Sequence, residues 1–171
     1  IPPVAESTDL LPPPNGHYVS PQDWHALYAQ GIVIKDISHK FFTDSQSPLA
    51  SGVSPHSFDS QVDMQLSTDG GQTFHAVRAP ALVTVDIKHR KTADDGTQVY
   101  DTEMLQLDIQ GGGLPSLIRL RESPTRRSEG GTAIAPSGLA IGDPDFDLLR
   151  IGSFFDIFTE VSLDGGQNWS P

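Results

Sequence analysis

Apolar and polar residues alternate along several short stretches of this 171-residue chain. Val62, Met64 and Leu66 share one side of the first long stretch, and Leu105 and Leu107 share one side of a later stretch. A period of two is typical of strands with one buried face, and turns rich in Gly, Pro and Asp separate these stretches. The pattern predicts an all-β fold, an antiparallel β-sandwich that is immunoglobulin-like in the broad sense.

One stretch has the spacing of a helix. Trp24, Leu27 and Tyr28 fall at positions i, i+3 and i+4, which would give a single apolar face. Ser20 is a typical N-cap, the proline after it suits the first helical position, and Gly31 is a typical stop. The sequence therefore predicts one short helix between these two residues.

The first sixteen residues contain two proline clusters and few apolar side chains. Such a segment prefers an extended backbone and becomes ordered only by packing, either on its own domain or on a neighbouring subunit. We predict an extended arm over residues 1–16 and a sandwich domain over residues 17–171. The apolar anchors that the arm offers are Ile1, Val4, Leu10 and Leu11.

A short motif occurs twice, as Ser67–Phe74 and as Ser162–Trp169. Asp-Gly-Gly between two alternating stretches predicts a tight hairpin, because both glycines tolerate positive φ. The Asp side chain would hydrogen-bond the turn backbone, and the closing aromatic ring would fold back over the hairpin. The residues with these roles are Asp69, Gly70, Gly71 and Phe74 in the first copy, and Asp164, Gly165, Gly166 and Trp169 in the second.

The repetition leaves the domain organisation open. A single domain could carry two equivalent hairpins, or the chain could consist of two small β modules over about 17–79 and 80–171. The second half has no counterpart of the predicted helix, which favours a single domain.

This motif resembles the Asp box, Ser-x-Asp-x-Gly-x-Thr-Trp, of sialidases and other secreted β proteins. The first copy has Phe74 in place of Trp, and the second has Asn168 in place of Thr. In those families the box is a folding element away from the active site, so the resemblance implies architecture and no catalytic residue.

Longer runs also resemble, in the same order, secreted bacterial β-rich proteins of the kind that often carry a C-terminal sorting signal. These runs are Tyr100–Leu107, Arg121–Thr125 and Ser153–Ser162. The resemblance implies an extracellular or cell-surface location. Because the sequence starts at Ile1 without Met, we expect secretion with removal of a signal peptide.

Composition and charge exclude several classes of function. The formal net charge is −11 and the sequence pI is about 4.7, which argues against nucleic acid or anionic membranes as partners. No apolar stretch approaches the roughly 18 residues of a membrane span, so we expect no membrane insertion. The chain has no cysteine, which excludes disulfides, thiolate metal sites and a Cys nucleophile.

Candidate metal ligands are few. The six histidines are dispersed without a ligand spacing. Asp143, Asp145 and Asp147 alternate in one turn and could hold Ca²⁺, although the sequence favours a solvated acidic turn over a calcium site. An EF-hand loop is excluded, because its Gly and Glu positions hold Leu148 and Phe154. We otherwise predict no cofactor.

Two glutamates, Glu103 and Glu160, follow threonines in predicted strands. A pair of carboxylates is what a glycosidase needs, but cross-strand ion pairs with Arg119 and Arg121 are the simpler interpretation. We therefore predict that the protein is not an enzyme.

The function that these observations favour is that of a structural subunit of an extracellular filament. The arm resembles the donor strands of bacterial pilus subunits, which complete the sheet of the next subunit. The partner would then be a second copy of this chain, and head-to-tail contacts would give a filament. The alternative is a monomeric cell-surface carbohydrate-binding or adhesion module, with sugar stacking on Trp24, Tyr28, Tyr100 and Trp169.

Overall fold

The computed structural model describes residues 4–6, 11–12, 15–46, 52–136 and 149–171, with only the backbone described for 4–6, 54, 136 and 149–152. These residues form eleven strands and one 3-10 turn. The elements are β1 (Val4–Glu6), β2 (His17–Val19), β3 (His25–Leu27), η1 (Ala29–Gly31), β4 (Val33–Lys40), β5 (Val53–Ser67), β6 (His75–Thr92), β7 (Gln98–Ile109), β8 (Arg119–Glu122), β9 (Ser128–Pro136), β10 (Leu149–Asp156) and β11 (Thr159–Ser162).

Every pair of neighbouring strands is antiparallel, which confirms the all-β antiparallel class. The strand order is β1-β10-β9-β7-β6-β5-β4-β2, with β3 also on β4 and with β8 between β7 and β11. The strands are connected into one hydrogen-bonded sheet. Sandwich packing and immunoglobulin-like character are not confirmed.

The sheet curls until its two ends meet. Tyr18 on β2 donates a hydrogen bond to Ser153 on β10 (2.7 Å), and its ring centroid lies 5.7 Å from that of Phe155. At the same side of the molecule the hydroxyl groups of Tyr28 and Thr159 form a hydrogen bond. The apolar core therefore lies inside one curled sheet.

The alternation in β5 is confirmed, since Val62, Met64 and Leu66 are all buried. In β7 the prediction is wrong for Leu105, which is 46% exposed. The pairing shifts there: Thr84 lies opposite Gln106, whereas the next residue on β6 lies opposite residue 104. Leu105 is the extra residue of a β-bulge and turns outward, and a bulge of this kind leaves no trace in the pattern of apolar residues.

The predicted helix over residues 20–30 is wrong. Leu27 lies on β3, pairs with Val33 on β4 and is 68% exposed, so the expected apolar face is not buried. The Ser20 hydroxyl accepts a hydrogen bond from the backbone of Ile37 (3.0 Å) and caps no helix. A helix of about ten residues is marginal on its own, and pairing with β4 satisfies the same backbone groups. No α-helix occurs in the described ranges.

The alternative domain boundary near residue 80 falls inside β6, which pairs with β5 along one side and with β7 along the other. Which division holds stays a prediction.

Candidate functional site

The first repeated motif is a loop built around the carboxylate of Asp69. One oxygen, Oδ1, accepts hydrogen bonds from the backbone of Gln72 (3.0 Å) and Thr73 (2.9 Å) and from the Ser67 hydroxyl (2.7 Å). The other, Oδ2, accepts from the Thr73 hydroxyl (2.5 Å). The Ser67 hydroxyl in turn accepts from the backbone of Gly71 (2.9 Å). The loop is thus held by contacts among residues at most four positions apart.

The second motif repeats this arrangement around Asp164. Its Oδ1 accepts from the backbone of Gln167 (2.9 Å) and Asn168 (2.9 Å) and from the Ser162 hydroxyl (2.8 Å). The Asn168 side chain donates to Oδ2 (2.6 Å), in the place of the threonine hydroxyl of the first copy. This contact explains why Asn replaces Thr without loss of the loop.

The first motif connects the hairpin of β5 and β6 as predicted, and its glycines have the predicted role, but the turn is longer than a tight one. β5 ends at Ser67 and β6 begins at His75, so seven residues connect them. Gly70 and Gly71 have φ of 76° and 87°, and their counterparts in the second copy have φ of 75° and 97°. Asp69 needs the longer loop, because its carboxylate occupies the centre and collects the backbone N–H groups.

The closing aromatic rings fold back over their loops as predicted, and a basic side chain lies over the face of each ring. Phe74 lies against Gly71, and Lys35 Nζ sits 4.2 Å from the centre of the Phe74 ring. In the second copy the Arg121 guanidinium lies 4.1 Å from the centre of the Trp169 ring. Each ring is half-buried and gains a cation–π contact.

These cations belong to a neighbouring strand that the sequence motif does not reveal. The Gly31 carbonyl accepts from the backbone of Gly70 (2.9 Å), and the Leu117 carbonyl accepts from the backbone of Gly165 (3.0 Å). β4 therefore lies beside the first loop in the same way as β8 lies beside the second loop. The repeat is a unit of two strands and a loop, with its halves far apart in sequence.

Only a faint signal could have revealed the partner strands. Residues 31–35 and 117–121 share an isoleucine at the second position, an aliphatic residue at the fourth and a basic residue at the fifth. Five positions with this much variation do not stand out from other strands.

Hydrogen bonds hold both loop carboxylates in the charged form. The Thr73 and Ser67 hydroxyls are the largest causes that keep the pKa of Asp69 well below its usual value. For Asp164 the main causes are the backbone and the side chain of Asn168, and its pKa is lowered in the same direction. With every carboxylate oxygen engaged within the loop, these residues have a structural role.

Replacing Asp69 with Ala is expected to lower the melting temperature by roughly 5 °C, because four donors lose a charged acceptor. Thermal unfolding followed by circular dichroism measures the change. Thr68→Ala alters an exposed neighbour in the same loop and should leave the melting temperature within about 1 °C. An Asp69→Ala protein that melts like the unaltered chain would contradict this role of the carboxylate.

The arm contacts the rest of its own chain at two places, one in the sheet and one outside it. In β1, Val4 pairs with Ile151 of β10 through backbone groups. Leu11 is 3% exposed and exchanges backbone hydrogen bonds with Gln46 (2.9 and 3.0 Å). The other two predicted anchors, Ile1 and Leu10, lie outside the described residues.

The predicted calcium ligands Asp143, Asp145 and Asp147 lie outside the described residues as well. Among the residues that are described, no cluster of three or more His, Asp or Glu side chains could hold a metal ion.

The two glutamates considered as a catalytic pair are both held by arginines. Glu160 lies 2.7 Å from Arg121 on the neighbouring strand, which is one of the two arginines predicted for this role. Glu103 binds Arg127 through two hydrogen bonds (2.8 and 2.6 Å), and these lower the pKa of Glu103. Both carboxylates are therefore engaged in ion pairs.

The four rings proposed for sugar stacking differ in accessibility. Tyr100 is 1% exposed and has no face open to a sugar. Trp169 is half-buried beside Arg121, and Tyr28 is half-buried with its hydroxyl on Thr159. Only Trp24 among these four is exposed, at 39%.

Comparison with known proteins identifies the repeat. A family model described as BNR/Asp-box repeat matches residues 160–171, which include the whole second motif, Ser162–Trp169. The match covers a single repeat, so the chain is similar to Asp-box proteins at that element. The comparison with curated proteins found no match, and neither did the comparison with solved structures. In the described part of the chain, no helix has the length and apolar character needed to cross a membrane.

Proposed function

We propose that this protein is a structural subunit of an extracellular filament, in which the arm of one copy adds a strand to the sheet of the next. The observation that carries the proposal is the pairing of β1 with β10. β1 is three residues long, takes the outermost place in the strand order, and binds through the pairs Val4–Ile151, Ala5–Arg150 and Glu6–Leu149.

An added strand of this kind is exchangeable between copies. Its pairing uses backbone groups, so the same edge accepts the same strand from another molecule. Without β1, the outer edge of β10 would present unpaired N–H and C=O groups, which favour pairing with another chain. Leu11 remains buried at the root of the arm, so the body of the subunit keeps its core while residues 1–10 reach a neighbour.

Such an exchange joins unlike surfaces, the arm of one copy and the β10 edge of another. Contacts between unlike surfaces extend into an open chain unless the rotation closes a ring. The resemblance to secreted bacterial proteins and to donor-strand subunits supports an extracellular filament as the product.

Removing residues 1–10 is expected to abolish filaments and to leave a monomer with the β10 edge open. Negative-stain electron microscopy and analytical ultracentrifugation of the intact and shortened chains measure this. Alternate residues of an edge strand donate to its neighbour, so Ala5→Pro combined with Glu6→Pro removes a donor in either phase and should have the same effect, whereas the matched control, Ala5→Ser combined with Glu6→Gln, keeps both donors. Filaments formed equally by the shortened chain, or none formed by the intact chain at any concentration, would contradict the proposal.

A monomeric carbohydrate-binding module is the second candidate, and the exposed Trp24 ring favours it. An intact chain that sediments as a monomer and binds glycans through Trp24 would support this alternative.

A further inference from the structure

The curled sheet contains a cavity of about 890 Å³ that is partly open to solvent. Residues of nine strands line it, β2 and β4 to β11, and Trp24 (39% exposed) and Phe154 (55% exposed) are also among the residues around it. Much of the wall is apolar, and six of its apolar side chains are buried: Phe58, Met64, Ile87, Met104, Leu107 and Leu120.

Among the described residues, one buried polar side chain of this wall has no hydrogen-bond partner. The Tyr18, His39 and Thr132 side chains are bonded to Ser153 or to Ser60. Thr102, by contrast, is 6% exposed, and its hydroxyl oxygen has no hydrogen-bond partner among the described residues. A buried hydroxyl normally has a partner, because leaving it unbonded is costly. A ligand in the cavity would supply one.

The wall also defines the charge of such a ligand. Asp156 is the one described wall residue that carries a formal charge at pH 7, and it is exposed. Burial lowers the pKa of His39 to about 4, which keeps its imidazole neutral. No cation among these residues would balance a buried carboxylate or phosphate, so a charged ligand would lose its hydration without compensation.

We propose that the interior of the sheet binds a neutral, mainly hydrocarbon small molecule with one hydroxyl or carbonyl group, which hydrogen-bonds to Thr102. The volume lies within the range of roughly 300–1,000 Å³ that is common for small-molecule sites. Leu11 and Pro12 of the arm line the cavity, but the features that indicate this site involve neither residues 1–10 nor filament formation, so it is tested separately from the proposed function.

The test is a fluorescence titration of the intact chain with N-phenyl-1-naphthylamine, an uncharged apolar dye, followed by competition. We expect a saturable rise with one site per chain. 1-Decanol should displace the dye, and decanoate at neutral pH should compete at least tenfold more weakly, because its charge has no partner inside.

Two substitutions locate the site. Met104→Trp fills the cavity and should weaken dye binding at least tenfold. Leu105→Trp places the same ring on the outer surface, so its dye affinity should stay within about twofold of that of the unaltered chain. Thr102→Val keeps the shape and removes the hydroxyl. It should leave dye affinity unchanged and weaken competition by 1-decanol about fivefold.

The proposal is overturned by any of three results: no saturable rise with the intact chain, equal losses for the two Trp variants, or equal competition by decanoate and 1-decanol. If Met104→Trp does not fold, competition by 1-decanol in Thr102→Val still tests the proposal. An unchanged 1-decanol affinity in that variant excludes the assigned hydrogen bond.

Discussion

Gly130→Ala is expected to lower the free energy of unfolding by on the order of 3 kcal/mol. Gly130 lies on β9 between Thr102 of β7 and Phe155 of β10. A Cβ atom at this position would collide with the carbonyl oxygen of Phe154 and would lie 2.9 Å from both the Phe155 ring and the Thr102 hydroxyl. The carbonyl belongs to the backbone of β10, so relief requires that the β9–β10 pairing shifts. Urea unfolding, with midpoint and slope, measures the loss.

Gly131→Ala is the matched control on the same strand. Its added methyl group would meet the ring of Phe154 at 3.0 Å, and this side chain is 55% exposed and able to turn away. The control should therefore lose much less stability than Gly130→Ala. Equal stabilities for the two variants would show that β9 and β10 do not approach each other in this way.

Lowering the pH from about 6.5 to about 4 is expected to cost about 3 kcal/mol of stability through His39 alone. Burial lowers the pKa of His39 from 6.5 to about 4. The unfolded chain therefore takes up a proton at a higher pH than the folded chain. This stabilising difference is fully present above about pH 6.5 and is lost as the pH falls through that window.

The surroundings of His39 explain the shift. Its Nε2 lies 2.6 Å from the Ser60 hydroxyl, and the aromatic rings of Tyr18 and Phe42 are within 6.5 Å of its own. None of these three groups carries a negative charge at that pH that would stabilise an imidazolium. The loop carboxylates Asp69 and Asp164, with lowered pKa values, lose their charge only below this window.

Unfolding in urea at several pH values, compared with His39→Gln, isolates this effect. Glutamine keeps a polar group near Ser60 and does not titrate, so the slope of stability against pH between 4 and 6.5 should fall by about one proton. An unchanged slope in His39→Gln would show that His39 is accessible to water in the folded chain.

The two Asp-box loops were predictable because the hydrogen bonds of their central carboxylates are local. Asp69 binds residues within four positions of itself, so the identity and spacing of a few residues contain the whole geometry. The strand class was predictable for a similar reason, since alternation is a property of single strands.

The cations that cover Phe74 and Trp169 were not predictable, because Lys35 and Arg121 come from strands more than thirty residues earlier in the chain. The outward turn of Leu105 depends on a shift in its pairing with β6. These features arise only when distant strands take a particular register.

The same division holds for the segment around Tyr28. Its residues have a helical spacing, and local propensity alone would allow a short helix. The segment forms a strand because pairing between Leu27 and Val33 satisfies its backbone hydrogen bonds in the sheet, and an isolated helix of this length is only marginally stable.

The sequence by itself determined the local chemistry of this protein: alternating strands, two carboxylate-centred loops, an acidic surface and an apolar anchor at Leu11. The tertiary structure decided how the strands are arranged, in one sheet whose ends meet at Tyr18 and Ser153, with a cavity inside. The physical reason is range. Hydrogen bonds between close neighbours depend only on the identity and spacing of a few nearby residues. The curl of a sheet and the space inside it depend on the register of strands that are distant in the chain.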